Sequence, residues 1–240
     1  MAVRIHPTAI IEDNVALGEG TSVWDHAHIR HGASLGEDCI VGGKATIAYD
    51  VSIGSRVKIN SQAYICNAVT IEDGVMISAA VVFTNDRFPR AATSDLKQLR
   101  ASTPDEHTLR TRVCAGATIG AAAVIGNDLT IGRFAMVGMA AVVTRSVPDF
   151  HLVIGNPARS IGCVCRCGEP LLKWSDVPAE TDAAEIDAAE TDTAENDAAE
   201  TDGQQAEGHV VSCRACGLAF QIVGRSVSEV VDELEAQTCR

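Results

Sequence analysis

The sequence predicts an all-β protein: a parallel β-helix of about six coils with one long loop, followed by a small cysteine-bearing module. Three observations predict it. Bulky aliphatic or Phe side chains recur at every sixth residue, the one large gap in that rhythm keeps its phase, and two cysteine clusters flank an acidic repeat.

The rhythm runs through Ile11, Leu17, Val23, Ile29, Leu35, Val41, Ile47, Ile53, Ile59, Ile65, Ile71, Ile77 and Phe83. It resumes at Val113, Ile119, Ile125, Ile131, Val137 and Val143. A fixed six-residue period marks stacked hexapeptide coils, since each unit buries its apolar side chain only against its neighbours. Two residues earlier stands a smaller side chain, such as Ala27, Ala33, Ala45 or Ala117, with a polar residue between. That alternation is a short strand with one face inward. Gly often follows the aliphatic, as at Gly18, Gly36, Gly54, Gly120 and Gly138. It is expected there to supply the backbone freedom of a tight corner. Aliphatics fill such a narrow interior without large rings, in keeping with an aromatic content of 4%.

Of the 240 residues, 1–162 form the expected β-helix domain. Residues 163–174 and 209–240 form the two halves of a second module, and 175–208 a linker. Twelve acidic residues and no Lys or Arg fall between Ser175 and Gly208, where a five-residue unit recurs (AETDA, AEIDA, AETDT, AENDA, AETDG). Single-sign charge with low hydrophobicity predicts a disordered acidic linker. It also accounts for nearly all of the net charge of −13. The near-neutral remainder gives no basis for nucleic-acid binding. No apolar stretch is long enough for a membrane span, and the first residues have no secretory h-region. Membrane insertion is therefore not expected. The expected compartment is the cytoplasm, where the nine cysteines are reduced or metal-bound.

Cys165, Cys167, Cys213 and Cys216 are the expected ligands of a structural Zn2+. Two turn-like pairs, each followed by Gly, supply the four thiolates of a closed tetrahedral site in a zinc-ribbon-like module. Cys163 competes for one position. Cys39, Cys66 and Cys114 lie on the hexad rhythm and read as small packing or corner residues. Ser226 with Glu229, ahead of Val230, Val231 and Leu234, reads as a capping box opening a short amphipathic helix.

The interval from Phe83 to Val113 is a whole number of hexads, so the coils continue in register after extruding a loop over about Asp86 to Arg110. Long insertions on rigid scaffolds commonly carry binding or catalytic elements. Lys58 and Asn60 project near the loop's base, as candidates to touch a ligand. Arg133, Arg145 and Arg159 can offer charge-assisted hydrogen bonds to phosphates. Backbone N–H groups around Gly120 and Gly138 can offer donors to a developing oxyanion.

The run Val82-Phe83-Thr84-Asn85-Asp86, with Pro89-Arg90-Ala91, follows V-K-I-N and V-T-I-E-D-G. In this it resembles the bacterial nucleotide-sugar N-acetyltransferases of the left-handed β-helix superfamily. The similarity covers roughly Ile5 to Gly162, including the ending Gly155-Asn156-Pro157-Ala158-Arg159. It implies a homotrimer of left-handed prisms with active sites in the clefts between subunits. Acetyl-CoA would lie along the C-terminal coils, near Gly120, Gly138, Arg133, Arg145, Asn156, Pro157 and Arg159. The nucleotide sugar would lie toward the N-terminal coils. By the same resemblance Asn85 would hydrogen-bond the reacting part of the sugar and Arg90 would hold its anionic groups. Trp24 would contact substrate and His28 is the candidate base.

The implied activity is acetyl transfer to the amine of a nucleotide-linked sugar for surface polysaccharide, by direct attack without an acyl-enzyme. Two alternatives stay open. An O-acetyltransferase of another hexapeptide family would demand a stronger general base, usually a loop His, and this loop offers only His107. The other is a non-enzymatic β-helix, such as a metal-binding relative or an assembly scaffold; a zinc on the prism needs three His, and His26, His28 and His31 fall in different hexad positions.

Overall fold

The computed structural model describes residues 1–176 and 208–230. Most of the expected acidic linker, together with Val231, Leu234 and Cys239, lies outside them. The first 143 residues form a column of two- and three-residue strands, from Arg4–Ile5 to Val142–Val143. They are arranged as three parallel sheets, one per face of a prism. The second face has seven strands and the third has six. The column is therefore six to seven coils tall, as the sequence predicts.

Each strand pairs with the one eighteen residues on, for example Ser22 with Ile40, His28 with Thr46 and Ser34 with Ser52. Three hexads thus make one coil. The aliphatic of every hexad points inward, and from Val23 onward nearly all are buried, Ile29, Ile47, Ile59 and Ile119 completely. Each such burial contributes roughly 1.5–3 kcal/mol before chain entropy is set against it. At the N-terminal end Ile11 and Leu17 are only partly buried.

The corners differ from the expected arrangement. The left-handed residue recurs every six positions but sits three residues after the aliphatic, at Asn14, Gly20, His26, Gly32, Asp38 and onward to Ala140. The glycines directly after the aliphatics do not have positive φ; their requirement is space. A Cβ on Gly36 would lie 2.7 Å from the backbone nitrogen of Ser55, and one on Gly120 would lie 2.6 Å from the carbonyl carbon of Gly138. Coil stacks on coil so closely at these points that a methyl group has no room.

Across the loop the register steps from eighteen to forty-two residues, Met76 pairing with Thr118, and every inward position keeps its phase. The loop doubles back on itself through the bridges Asp86 with Thr108 and Ala92 with Leu99. Beyond the column, His151–Ile154 adds to the first face, and Arg159–Val164 and Pro170–Lys173 extend it antiparallel. The expected domain boundary at residue 162 thus falls inside a strand. Residues His209–Ser212, Ala219–Val223 and Ser226–Glu229 form a separate three-stranded antiparallel sheet. Ser226 to Glu229 is consequently not the start of a helix. Val227 and Glu229 alternate inward along a strand, each pairing back on Ala219–Val223. The β-branched Val227 is better served by that sheet than by a helical first turn. Among the described residues no helix is long and apolar enough to cross a membrane.

Gly36→Ala is expected to cost about 1–3 kcal/mol, the usual range for overpacking. Ala122→Gly, at a left-handed corner with a φ of 59°, is expected to be neutral or stabilising because it relieves backbone strain. Thermal denaturation of both variants checks this, and the opposite ranking would contradict the division of roles between the two corner positions.

Candidate functional site

The corner that follows the second face stacks His31, Tyr49, Asn67 and Asn85, one per coil at eighteen-residue spacing. The repeat forces them into a vertical line. The rings of His31 and Tyr49 are stacked, 5.3 Å between centroids and 4° from parallel. The Arg30 guanidinium lies 5.1 Å from the Tyr49 ring centre. One coil higher, Asn85 Nδ2 donates to Asn67 Oδ1 and, at 3.4 Å, to the Asn67 carbonyl.

Asn85 is also the neck of the loop. Its carbonyl accepts from Leu109 N at 2.8 Å, and His107 O accepts from Arg87 N at 3.1 Å. Tyr49 Oη donates to Ser102 O at 3.5 Å, tying the arm's far side to the column. Between arm and column lies a cavity of about 290 Å3, lined by Tyr49, Asn67, Asn85, Asp86, Arg90 and Arg100 among others. A second cavity of about 440 Å3 shares Tyr49, Asn67 and Asp105 with it and runs on to Thr70 and Arg110. Arg100 sits 3.5 Å from Asp105. The Arg90 guanidinium donates to the carbonyl of Pro89 at 2.9 Å and, among the described residues, is within ion-pair distance of no carboxylate. Asn85 and Arg90, paired from the sequence, therefore face one cavity. Tyr49 and Asn67 were missed; the eighteen-residue spacing back from Asn85 is the signal that finds them.

His28 does not reach this cavity. It pairs with Thr46 on the second face, three coils before the strand Val82–Phe83 that leads into Asn85. At about 4.8 Å per coil that is roughly 14 Å along the column. The expected pairing of His28 with Asn85 at one reacting centre is thus not made within a single chain. Instead His28 Nε2 lies 2.7 Å from Glu12 Oε1, while Glu12 Oε2 lies 2.9 Å from His31 Nδ1 and accepts from His31 N at 3.0 Å. Arg30 Nε stands 3.5 Å from the same carboxylate. The His31 backbone N–H, then its ring, then His28 and Arg30 hold the Glu12 carboxyl down at about 2.

The remaining candidates fall on other edges of the prism. Trp24, Asn60, Gly120 and Gly138 lie at the corner after the first face, in different coils, with Lys58 on the adjoining strand. Trp24 is 47% exposed and has Arg4 6.0 Å from its ring centre. Arg133 is at the third corner, where its N–H donates to Asp149 at 2.7 Å. Arg145 is on the Asn85 corner, farther up the column. Asn156 and Pro157 are exposed in the turn after His151–Ile154, which closes on Val142 through Ala158 N at 2.8 Å, and Arg159 is exposed at the start of the next strand. One chain therefore distributes its candidate residues over three separate edges.

Cys165, Cys167, Cys213 and Cys216 do converge, with all four sulfurs within 4.8 Å of one another. Cys165 Sγ is 3.4 Å from Cys216 Sγ, and Cys167 Sγ is 3.6 Å from Cys213 Sγ. Four thiolates at 2.3 Å around tetrahedral zinc stand about 3.8 Å apart, so the donor set fits that ion. Cys163 is outside the group. It is fully buried with Trp174 and Ile222, and burial pushes its thiol up to about 11.

No family profile matches the chain. Over 62 residues, 26% of this chain and 32% of the other, it is 53% identical to dTDP-3-amino-3,6-dideoxy-alpha-D-galactopyranose 3-N-acetyltransferase from Aneurinibacillus thermoaerophilus. The chain thus spans about a third of the length of the curated relative it matches. Among solved structures it is similar to the acetyltransferase domain of PglB from Neisseria gonorrhoeae FA1090 in complex with acetyl coenzyme A. There the TM-score is 0.41 and the identity 22%, over 66% of this chain and 57% of that one. It is also similar to a mutant of AntD, an N-acyltransferase from Bacillus cereus, in complex with dTDP and coenzyme A. That match has a TM-score of 0.45 and 18% identity, over 69% and 84% of the two chains.

Glu12 has a folded pKa of about 2 against an ordinary 4.5. Its contribution to stability is fully present above pH 4.5 and is lost as the pH falls toward 2. Melting temperature measured across that window should fall less steeply for Glu12→Gln than for the parent. Superimposable acid limbs would show that the carboxylate does not anchor the two imidazoles.

Proposed function

We propose that this protein is an acetyl-CoA-dependent N-acetyltransferase that acylates the amine of a nucleotide-linked amino sugar. The observation that carries the reading is the Asn67–Asn85 amide pair beside an uncompensated Arg90, under the loop that interrupts the coils. Because Asn85 Nδ2 is engaged by Asn67, Oδ1 is the atom left to accept an N–H from a ligand. An amide oxygen suits an amine that must be oriented, and it is no base for a hydroxyl. The residues lining this cavity include no His, which weighs against the O-acetyltransferase alternative. The high identity to a sugar-amine acetyltransferase over 62 residues supports the same reading.

In this mechanism the neutral amine attacks the thioester carbonyl of acetyl-CoA directly. The C–N bond forms, the amine loses a proton, and CoA leaves as the thiol. Asn85 orients the nucleophile, Arg90 binds anionic groups of the nucleotide sugar, and alignment supplies most of the acceleration. Backbone N–H groups near Gly120 or Gly138 meet the developing oxyanion. Lys58, Asn60 and Trp24 contribute substrate contacts, and Arg133, Arg145, Asn156, Pro157 and Arg159 contacts to CoA.

These residues lie on different edges of one prism, so we assign the complete site to a cleft between copies of the chain in a homotrimer. The outward side chains of the second face support this. Tyr64 and Val82, neighbours on that face, are 44% and 37% exposed, and Ile10, two polar positions below Tyr64, is 57% exposed. Use of acetyl-CoA supports a cytoplasmic location, and the amino-sugar product is suited to surface polysaccharide.

CoA release measured against UDP- and dTDP-linked 3-amino sugars, with hydroxyl acceptors as the comparison, tests the reaction. Asn85→Ala should lower kcat/KM on the amine by about a hundredfold, and Asn67→Ala by less, through mispositioned Asn85. Undiminished turnover by Asn85→Ala would remove it from the site. Sedimentation equilibrium should give three copies of the 25.2 kDa chain; a monomer with full activity would rule out the shared cleft.

A further inference from the structure

The two ends of the column are not alike. At the N-terminal end the first aliphatics remain partly exposed. At the C-terminal end the core is continued by Phe150, Cys165, Cys213 and Phe220, with Phe134 against them. Phe150 stacks on Phe134 at 5.7 Å and meets Phe220 edge-on at 5.3 Å. Residues 208–230 therefore close the end of the β-helix, as terminal caps of stacked-repeat proteins must.

That cap has little of its own to stand on. Its fully covered large side chains are Phe220 and Ile222. A single three-stranded sheet of this size cannot bury enough apolar surface to offset its ordering. Two polar contacts help: His151 Nε2 to the Arg225 carbonyl at 2.8 Å, and Arg166 Nη1 to Glu229 at 3.2 Å. Val211, Ile222 and Val227 of the cap also pack on Cys163, Leu171, Leu172 and Trp174, and the sulfur cluster joins the two sides as well.

The four sulfurs come from two similar turns, the second one residue longer than the first. In one, Gly168 N donates to Cys165 O at 2.9 Å and Cys165 N to Glu169 O at 2.8 Å. In the other, Gly217 N donates to Cys213 O at 2.9 Å and Cys213 N to Leu218 O at 2.7 Å. Each turn ends on a left-handed glycine, with φ of 92° at Gly168 and 79° at Gly217. Each also places an Arg directly after its first cysteine, Arg166 and Arg214. One turn belongs to the sheet that continues the column and the other to the cap. The cluster therefore spans the joint between them.

We propose that Cys165, Cys167, Cys213 and Cys216 bind one thiophilic divalent cation of the Zn2+ class, and that this ion is the latch holding residues 208–230 on the end of the β-helix. Four thiolates leave no open coordination position, so the ion does no chemistry on substrate. Because ligands from both sides of the joint share one ion, losing it frees the cap while the coils keep their own ladder of hydrogen bonds. This role is independent of the transferase reading, and its test does not use turnover.

The full chain as purified is assayed for metal by mass spectrometry, then exchanged with Co2+. One ion per chain is expected, with the intense visible bands and sulfur-to-cobalt charge transfer of a tetrahedral thiolate site. Hydrogen exchange before and after chelation should show protection across Ser212–Val223 dropping by about tenfold or more, with Val113–Val143 unchanged. Re-addition of Zn2+ should restore it. Cys216→Ser should bind Co2+ with altered bands and weaker protection of the cap. Substoichiometric metal in freshly reduced protein, an octahedral cobalt spectrum, or a cap equally protected without metal would each overturn the proposal.

Discussion

The stacking of one coil on the next fixes nearly everything else in this molecule. Each strand of the column is only two or three residues long, far too short to stand alone. Its backbone groups are satisfied by the coil eighteen residues away. The approach is close enough to exclude a Cβ at Gly36 and Gly120. Once coils must lie that near each other, inward positions are restricted to side chains of nearly constant size. Outward positions become registered columns, and any insertion must leave at a corner and return in phase.

That constraint also decides where chemistry is possible. The interior is filled from wall to wall, so no ligand enters it. Residues drawn from one corner share a line, as His31, Tyr49, Asn67 and Asn85 do, whereas residues from different corners are kept apart by the packed core. The loop is the one element of the column domain that escapes this rule. It hangs over the Asn85 corner and encloses cavities there. In the proposed homotrimer, a second copy of the chain brings two edges together.

Much of the column was legible in advance because a period of six leaves few alternatives for inward side chains. Asn85 and Arg90 were legible as a pair because a short run of sequence carries both. The four metal-ligand candidates were legible from spacing, and Cys163 is set apart only by its burial beside Trp174. The glycines after the aliphatics were misread because sequence does not distinguish a need for unusual φ from a need for room. Ser226 and Glu229 have the spacing of a helix cap, yet strand pairing with Ala219–Val223 prevails. The Glu12 contacts with His28 and His31 were invisible, since they join neighbouring coils across sixteen to nineteen residues of sequence.

The vertical line from His31 to Asn85 makes the prism a ruler. A side chain moved by eighteen positions along the chain shifts by one graduation and keeps its bearing toward solvent. Acceptors of different length could then be matched by exchanging single residues between graduations, with the solid interior left untouched. On such a scaffold a change of substrate is a change of address, and the fold charges nothing for the move.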